Sequence, residues 1–275
     1  MLFFLAPTPA VTVEAGDLPI VISAPHGGRL RLKGVPDRTG KAVTPGTPKG
    51  SGFQTALDSG TDALARALAD EIAKRLGKRP YLVISNITRR QFDANRPESI
   101  AVEHDGARTA YRRYHGALTR FRAEILKKYG SGLLLDIHGQ GSTKDAIYRG
   151  TANGSTVAGL PREMLVGESG LLGVLEAKGI RLIPTNKEEG KREAPGLNGG
   201  WIVRHYGASA EGEDGKLSAT PEKFWAVQLE CGIDFRRKTA VPKSAANLAE
   251  AVEKFSRAMF PEVTKDSVPS GGSRR

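Results

Sequence analysis

Short apolar runs that alternate with segments of helical periodicity constrain this chain more than any other feature. Residues 18–24, Leu-Pro-Ile-Val-Ile-Ser-Ala, and 80–87, Pro-Tyr-Leu-Val-Ile-Ser-Asn-Ile, have the length and β-branched content of buried strands. Between them Thr61-Asp62 opens an amphipathic helix with Leu64, Leu68, Ile72 and Leu76 spaced by four, and Gly77 stops it. Helical periodicity returns over 101–129, Gly130 to Gly132 ends it, and Leu133-Leu-Leu-Asp-Ile137 reads as a third strand. Residues 170–178 read as a helix, 224–230 as a late strand, and 244–259 as a final helix with Leu248, Ala251, Val252 and Phe255 on one face. This order predicts an α/β fold with a largely parallel sheet covered by helices. The expected layout is one catalytic domain over 1–262, beginning with an edge segment over 1–17, and a Gly/Ser-rich disordered tail over 263–275.

Composition narrows the function classes. Apolar residues make up 39% and charged residues 26%, the usage of a soluble globular chain, and no run of about 18 apolar residues could cross a bilayer. MLFFLAPTPA at the start is apolar but lacks a positive n-region, so it reads as an edge or disordered segment, with a trimmed export signal as the alternative. The single cysteine, Cys231, excludes an intrachain disulfide and a multi-cysteine zinc site, and fits a reducing, cytoplasmic setting. A net charge of +11 raises the question of nucleic acid, yet the basic residues are dispersed, as in Lys74-Arg75, Arg112-Arg113 and Arg236-Arg237, without an aromatic-interleaved block. A solvated basic surface and a small anionic substrate are expected instead; the oligomeric state is not readable.

In an open parallel sheet, ligands bind beyond the carboxyl ends of the strands. His26 follows the first strand; Arg89, Arg90, Asp93, Asn95 and Arg96 follow the second; Asp136 and His138 close the third, and Glu230 the late one. A lone histidine after a strand is more often structural, but two, each next to glycine, suggest metal ligands that backbone and substrate can approach closely. A third ligand is needed. Asp58, where the long Gly27 to Gly52 loop returns to the helix, is preferred over Asp62, whose first-turn position has a capping and dipole explanation. Asp136 shares a strand face with His138 and could orient it, or could pair with Arg89 or Arg90. Glu230 either lies on the solvent face of an edge strand or is a buried general base, with Gln228 on the same face. The arginines of Thr88 to Pro97 suit bidentate carboxylate binding, or a solvated loop.

The series Ala-Pro-His26-Gly-Gly, Asp58-Ser-Gly-Thr61, Arg90-Gln-Phe-Asp93-Ala-Asn95-Arg96-Pro, Tyr114-His115, Leu-Asp136-Ile-His138-Gly-Gln-Gly, Asn198-Gly-Gly-Trp and Val-Gln228-Leu-Glu230 resembles the N-formylglutamate amidohydrolase family over most of 18–237. The resemblance implies a three-layer α/β/α sandwich with a mixed, largely parallel central sheet, as in zinc carboxypeptidases and aspartoacylases, and one zinc ion per chain. By it, His26 and His138 match metal ligands, Asn95-Arg96 the pair that holds a substrate carboxylate, Glu230 the general base, and Arg89 or Arg90 the arginine that polarises the scissile carbonyl; Gln228, on the face of Glu230, is taken as a further substrate-binding residue. One position departs: where carboxypeptidases carry a glutamate ligand three residues after the first histidine, this chain has Arg29. The implied activity is zinc-dependent hydrolysis of a small N-acyl amino acid bearing a carboxylate. A peptidase acting on peptides or cell-wall fragments and a non-catalytic carboxylate-binding protein are the alternatives.

Overall fold

The computed structural model describes residues 8–41, 52–188, 190–212, 215–218 and 220–265. Its strands are β1 (Val11–Glu14), β2 (Ile20–Ala24), β3 (Tyr81–Ser85), β4 (Gly132–Gly139), β5 (Ala146–Gly150), β6 (Arg181–Ile183) and β7 (Phe224–Cys231). The helices are α1 (Thr61–Leu76), α2 (Glu98–Ala101), α3 (Asp105–Tyr129), α4 (Arg162–Val166), α5 (Leu171–Ala177), α6 (Trp201–Tyr206), α7 (Ile233–Arg236), α8 (Val241–Met259) and α9 (Pro261–Thr264).

The strands form one sheet in the order β1-β3-β2-β4-β7-β5-β6. β3, β2, β4 and β7 run parallel, while β1 is antiparallel to β3 and β5 antiparallel to β7. The four parallel strands are buried on both faces, which is why each reads as a near-continuous apolar run. Ile20, Ile22, Leu133, Leu135, Val227 and Leu229 face a core shared with α1, α5 and α8. Val21, Val83, Leu134 and Ala226 face the other core, with α3 and α6. The result is the expected mixed α/β/α sandwich.

The predicted elements are found with small shifts, and the differences have local causes. The helix expected over 101–129 is α3, which starts at Asp105 because His104 holds the chain extended and caps it by accepting from the Gly106 N–H; α2 precedes it as a separate short helix. β5 and β6 lie in a stretch of mixed signals and are too short for periodicity to show. α9 takes up Val263 and Thr264, where the tail was expected to begin, and residues 266–275 lie outside the described residues, as do 1–7 of the leader and 42–51 of the long loop. No helix among the described residues is long and apolar enough to cross a membrane.

His115, on α3, is buried against α6. Its Nε2 lies 2.9 Å from the Ala94 carbonyl and its Nδ1 3.0 Å from the Tyr206 hydroxyl. Burial pushes its pKa down to about 4. The unfolded chain therefore takes up this proton first, near pH 6.5, and stability present above that pH is lost as pH falls towards 4, by about 3 kcal/mol. Urea unfolding at pH 7 and pH 4 should show that loss in the wild type and a correspondingly smaller one in His115→Gln.

Candidate metal centre

Strand register brings the site together. In the β4–β7 pair His138 lies opposite Glu230 and Asp136 opposite Gln228, and in the β2–β4 pair Ser23 lies opposite Asp136. β7 has β4 on one side and β5 on the other, so Glu230 stands on an interior strand and is buried, 6% exposed. His26 follows β2 by two residues, and the loop returning from it is fastened there: Asp58 N–H donates to the His26 carbonyl at 3.1 Å, and Thr61 Oγ1 to the Asp58 carbonyl at 2.8 Å.

These contacts place three ligand atoms around one point. Asp58 Oδ2 lies 3.4 Å from His26 Nδ1 and 3.4 Å from His138 Nδ1, and the three atoms fall within 4.8 Å of one another. Metal–ligand bonds of about 2.0–2.2 Å in a tetrahedron give edges of about 3.3–3.6 Å, so both 3.4 Å separations fit a zinc-sized ion. His26 Nδ1 is buried and, among the described residues, has no hydrogen-bond partner. The opposite ring nitrogens are fixed by carboxylates: His26 Nε2 to Asp93 Oδ1 and His138 Nε2 to Asp136 Oδ2, both at 2.7 Å. A carboxylate on Nε2 holds the proton there and turns the Nδ1 lone pair to the shared point, which is the arrangement that metal-binding histidines need.

Burial opposes ionisation of Asp58, but the two histidines, His138 and His26, each 3.4 Å away, outweigh it and hold the carboxyl well below the usual range; the Gly139 N–H donates to Oδ2 at 3.1 Å. Burial likewise opposes charging of His138, and Asp136, Asp58 and Glu230 together drive its pKa well up. Glu230 differs: burial and the neighbouring Asp58 charge raise its pKa. Its Oε1 stands 3.9 Å from His138 Nδ1, beside the ligand set.

The other site residues separate into those facing the cavity and those engaged elsewhere. A cavity of about 660 Å³ opens over the three ligands, lined by Arg89, Asn95 and Arg96 together with Asn198 to Trp201 and Arg204. Arg89 is buried, and its Nε donates to Asp93 Oδ2 at 2.9 Å. Arg90 is not part of the site: its side chain is 60% exposed, 3.7 Å from Asp37 at the surface, because the turn at 89–91 sends neighbouring side chains opposite ways. Gln228 lines the cavity, but both ends of its amide are bound to protein: Nε2 donates to Glu230 Oε1 at 2.7 Å and Oε1 accepts from the Gly200 N–H at 2.8 Å. Through these bonds it also holds the Glu230 carboxylate in place. Asn95 Oδ1 accepts from the Ile202 N–H at 2.8 Å, and Arg96 donates to the Gly52 and Asn95 carbonyls. Asp62 is in the first turn of α1, outside the triad. Arg29 is exposed and reaches Ser59. His205 stacks on Trp201 at 4.5 Å and does not line the cavity.

Two features escaped the sequence. Asp93, one polar residue among several after β3, is the partner of His26, and the demand of a ligand histidine for an acceptor on its second nitrogen was the signal for it. The glycines after the histidines leave room for protein, not for substrate: a Cβ on Gly27 would lie 2.5 Å from Asp62 N, and one on Gly28 2.2 Å from the Asn86 carbonyl carbon. For the partner of His138, Asp136→Asn is expected to weaken zinc binding about 10- to 100-fold in chelator competition, since it loosens the hold on the ring. Unchanged affinity would remove Asp136 from the site.

No protein-family model matches the chain, and no curated protein matches it in sequence. Solved structures share its fold. The N-formylglutamate amidohydrolase of Ralstonia eutropha superposes with a TM-score of 0.59 at 14% identity, over 92% of this chain and 99% of that one. The gene product Atu2144 of Agrobacterium tumefaciens gives 0.52 at 16% identity, over 93% and 96%. At such identities the likeness is one of fold.

Proposed function

We propose that this chain is a metal-dependent amidohydrolase that cleaves the C–N bond of an N-acyl amino acid carrying a carboxylate, with an N-formyl-like group as the acyl portion. The observation that carries this reading is the convergence of His26 Nδ1, His138 Nδ1 and Asp58 Oδ2, each histidine held from behind by a carboxylate, with Glu230 alongside. Histidine and carboxylate donors suit zinc, one ion per chain. A zinc ion there supplies Lewis acidity, which acidifies water and polarises a carbonyl oxygen.

The protein's own groups perform the rest. Glu230 takes a proton from the attacking water as the water oxygen bonds to the acyl carbon, then delivers it to the amine nitrogen as the C–N bond breaks. The products are a carboxylic acid and a free amine. Arg89, at the cavity wall, stabilises the negative charge that develops on the acyl oxygen. Arg96, with the Asn95 Nδ2, takes the substrate carboxylate. Arg38, Arg89 and Arg96 are all buried near Asp93, and Arg89 and Arg96 also line the cavity, which suits an anionic ligand. Residues 1–262 are read as one catalytic unit acting in the cytoplasm, without nucleic-acid or membrane partners.

The size of the cavity favours one second reading. About 660 Å³ is the size of a site for ligands longer than one amino acid, so a peptide or cell-wall fragment would also fit. Zinc-loaded protein should be assayed for amine release from N-formyl and N-acetyl amino acids, their decarboxylated analogues, and short peptides. Faster cleavage of N-formyl amino acids, lost with the carboxylate, supports the first reading. Cleavage of peptides alone supports the second, and no cleavage by zinc-loaded protein defeats both.

A further inference from the structure

Arg236 ends α7, at the edge of the sheet where the candidate ligands emerge. The dispersed basic pairs suggest a surface residue, but it is buried, 9% exposed, with no carboxylate within ion-pair distance among the described residues. A buried guanidinium needs acceptors, and this one finds backbone carbonyls on three separate segments. Its Nη1 donates to the Ser59 carbonyl at 2.7 Å, Nη2 to the Gln140 carbonyl at 3.0 Å, and Nε to the Cys231 carbonyl at 3.0 Å. Ser59 directly follows Asp58, Gln140 comes two residues after His138, and Cys231 directly follows Glu230.

The surroundings are shaped to receive it. A Cβ on Gly139 would lie 2.7 Å from Arg236 Nε, and one on Gly60 2.1 Å from the Arg236 carbonyl oxygen. Gly60 also has φ +85°, where L side chains are strained. Gly139 in turn donates its N–H to Asp58 Oδ2, so the residue that makes room for the guanidinium also holds a ligand.

We propose that Arg236 is the positioning residue of the metal centre: a single planar fork that fixes the distances between the segments carrying Asp58, His138 and Glu230. The inference rests on the metal reading above. It also predicts that lysine cannot replace it, since one ammonium nitrogen cannot span three carbonyls facing a fork.

Arg236→Met and Arg236→Lys are tested against Leu248→Ala, a core truncation in α8 that lowers stability without touching the site. Zinc affinity, measured by chelator competition, should fall at least 10-fold in both Arg236 variants, on the scale of lost ligand-orienting partners, and not in Leu248→Ala. Hydrogen exchange on metal-free protein should show 58–60, 139–141 and 231–232 losing protection together in Arg236→Met, with α3 unaffected. Zinc affinity equal to that of Leu248→Ala, or loosening at only one of the three segments, would overturn the proposal. Wild-type protein that binds no zinc would defeat the metal reading itself, whereas joint loss of protection at all three segments would still establish the clamp.

Discussion

Replacing Glu230 by Gln is expected to lower turnover about 10²- to 10⁴-fold, the usual contribution of a general acid–base group, while zinc content stays at the wild-type level. The split follows from position. Glu230 stands beside the ligand set, its carboxylate 3.9 Å from His138 Nδ1 and held by the Gln228 amide at 2.7 Å, so the amide variant keeps the shape and loses the proton acceptor. Burial raises the proton affinity of this carboxyl, which suits a group that must return the proton to a leaving amine. Steady-state kinetics on the best N-acyl substrate, with metal analysis of the same preparation, would decide it. Turnover within a factor of two of the wild type would exclude Glu230 as the base.

The second large effect is expected at Asp58. A ligand that binds only the folded state at 100 times its Kd adds about 2.7 kcal/mol of stability, so zinc should raise the unfolding midpoint of the wild-type protein. Asp58→Asn should abolish that rise, because the amide removes the only carboxylate among the three ligand residues. Asp62→Asn, in the first turn of α1, should leave it intact. Thermal unfolding with and without zinc reads both variants; a full zinc-induced rise in Asp58→Asn would assign the third ligand elsewhere.

Much of this architecture was legible in the chain because the central strands are buried on both faces and carry continuous apolar runs. His26, His138 and Glu230 could be placed from the same signal, since each follows or ends such a run, and strand ends are where a parallel sheet presents its ligands. What the sequence hides is whatever depends on contacts across long separations. Asp93 meets His26 from 67 positions away. Arg89 and Arg90 are neighbours in sequence, yet one is buried at the cavity and the other is solvated, a difference set by the turn. Gln228 and Glu230 do share a face, as alternation requires, but alternation does not show that the Gln228 amide is taken up between Glu230 and Gly200. Arg236 reads as half of a basic pair, and only the fold shows three carbonyls around it.

A crystal structure of zinc-soaked protein, with anomalous scattering recorded on both sides of the zinc absorption edge, tests the metal centre most directly. One anomalous peak per chain is predicted, in contact with His26 Nδ1, His138 Nδ1 and Asp58 Oδ2, with the Nε2 bonds to Asp93 and Asp136 retained. A peak elsewhere, or none at that point with the triad intact, would contradict the metal centre and with it the proposed hydrolytic function.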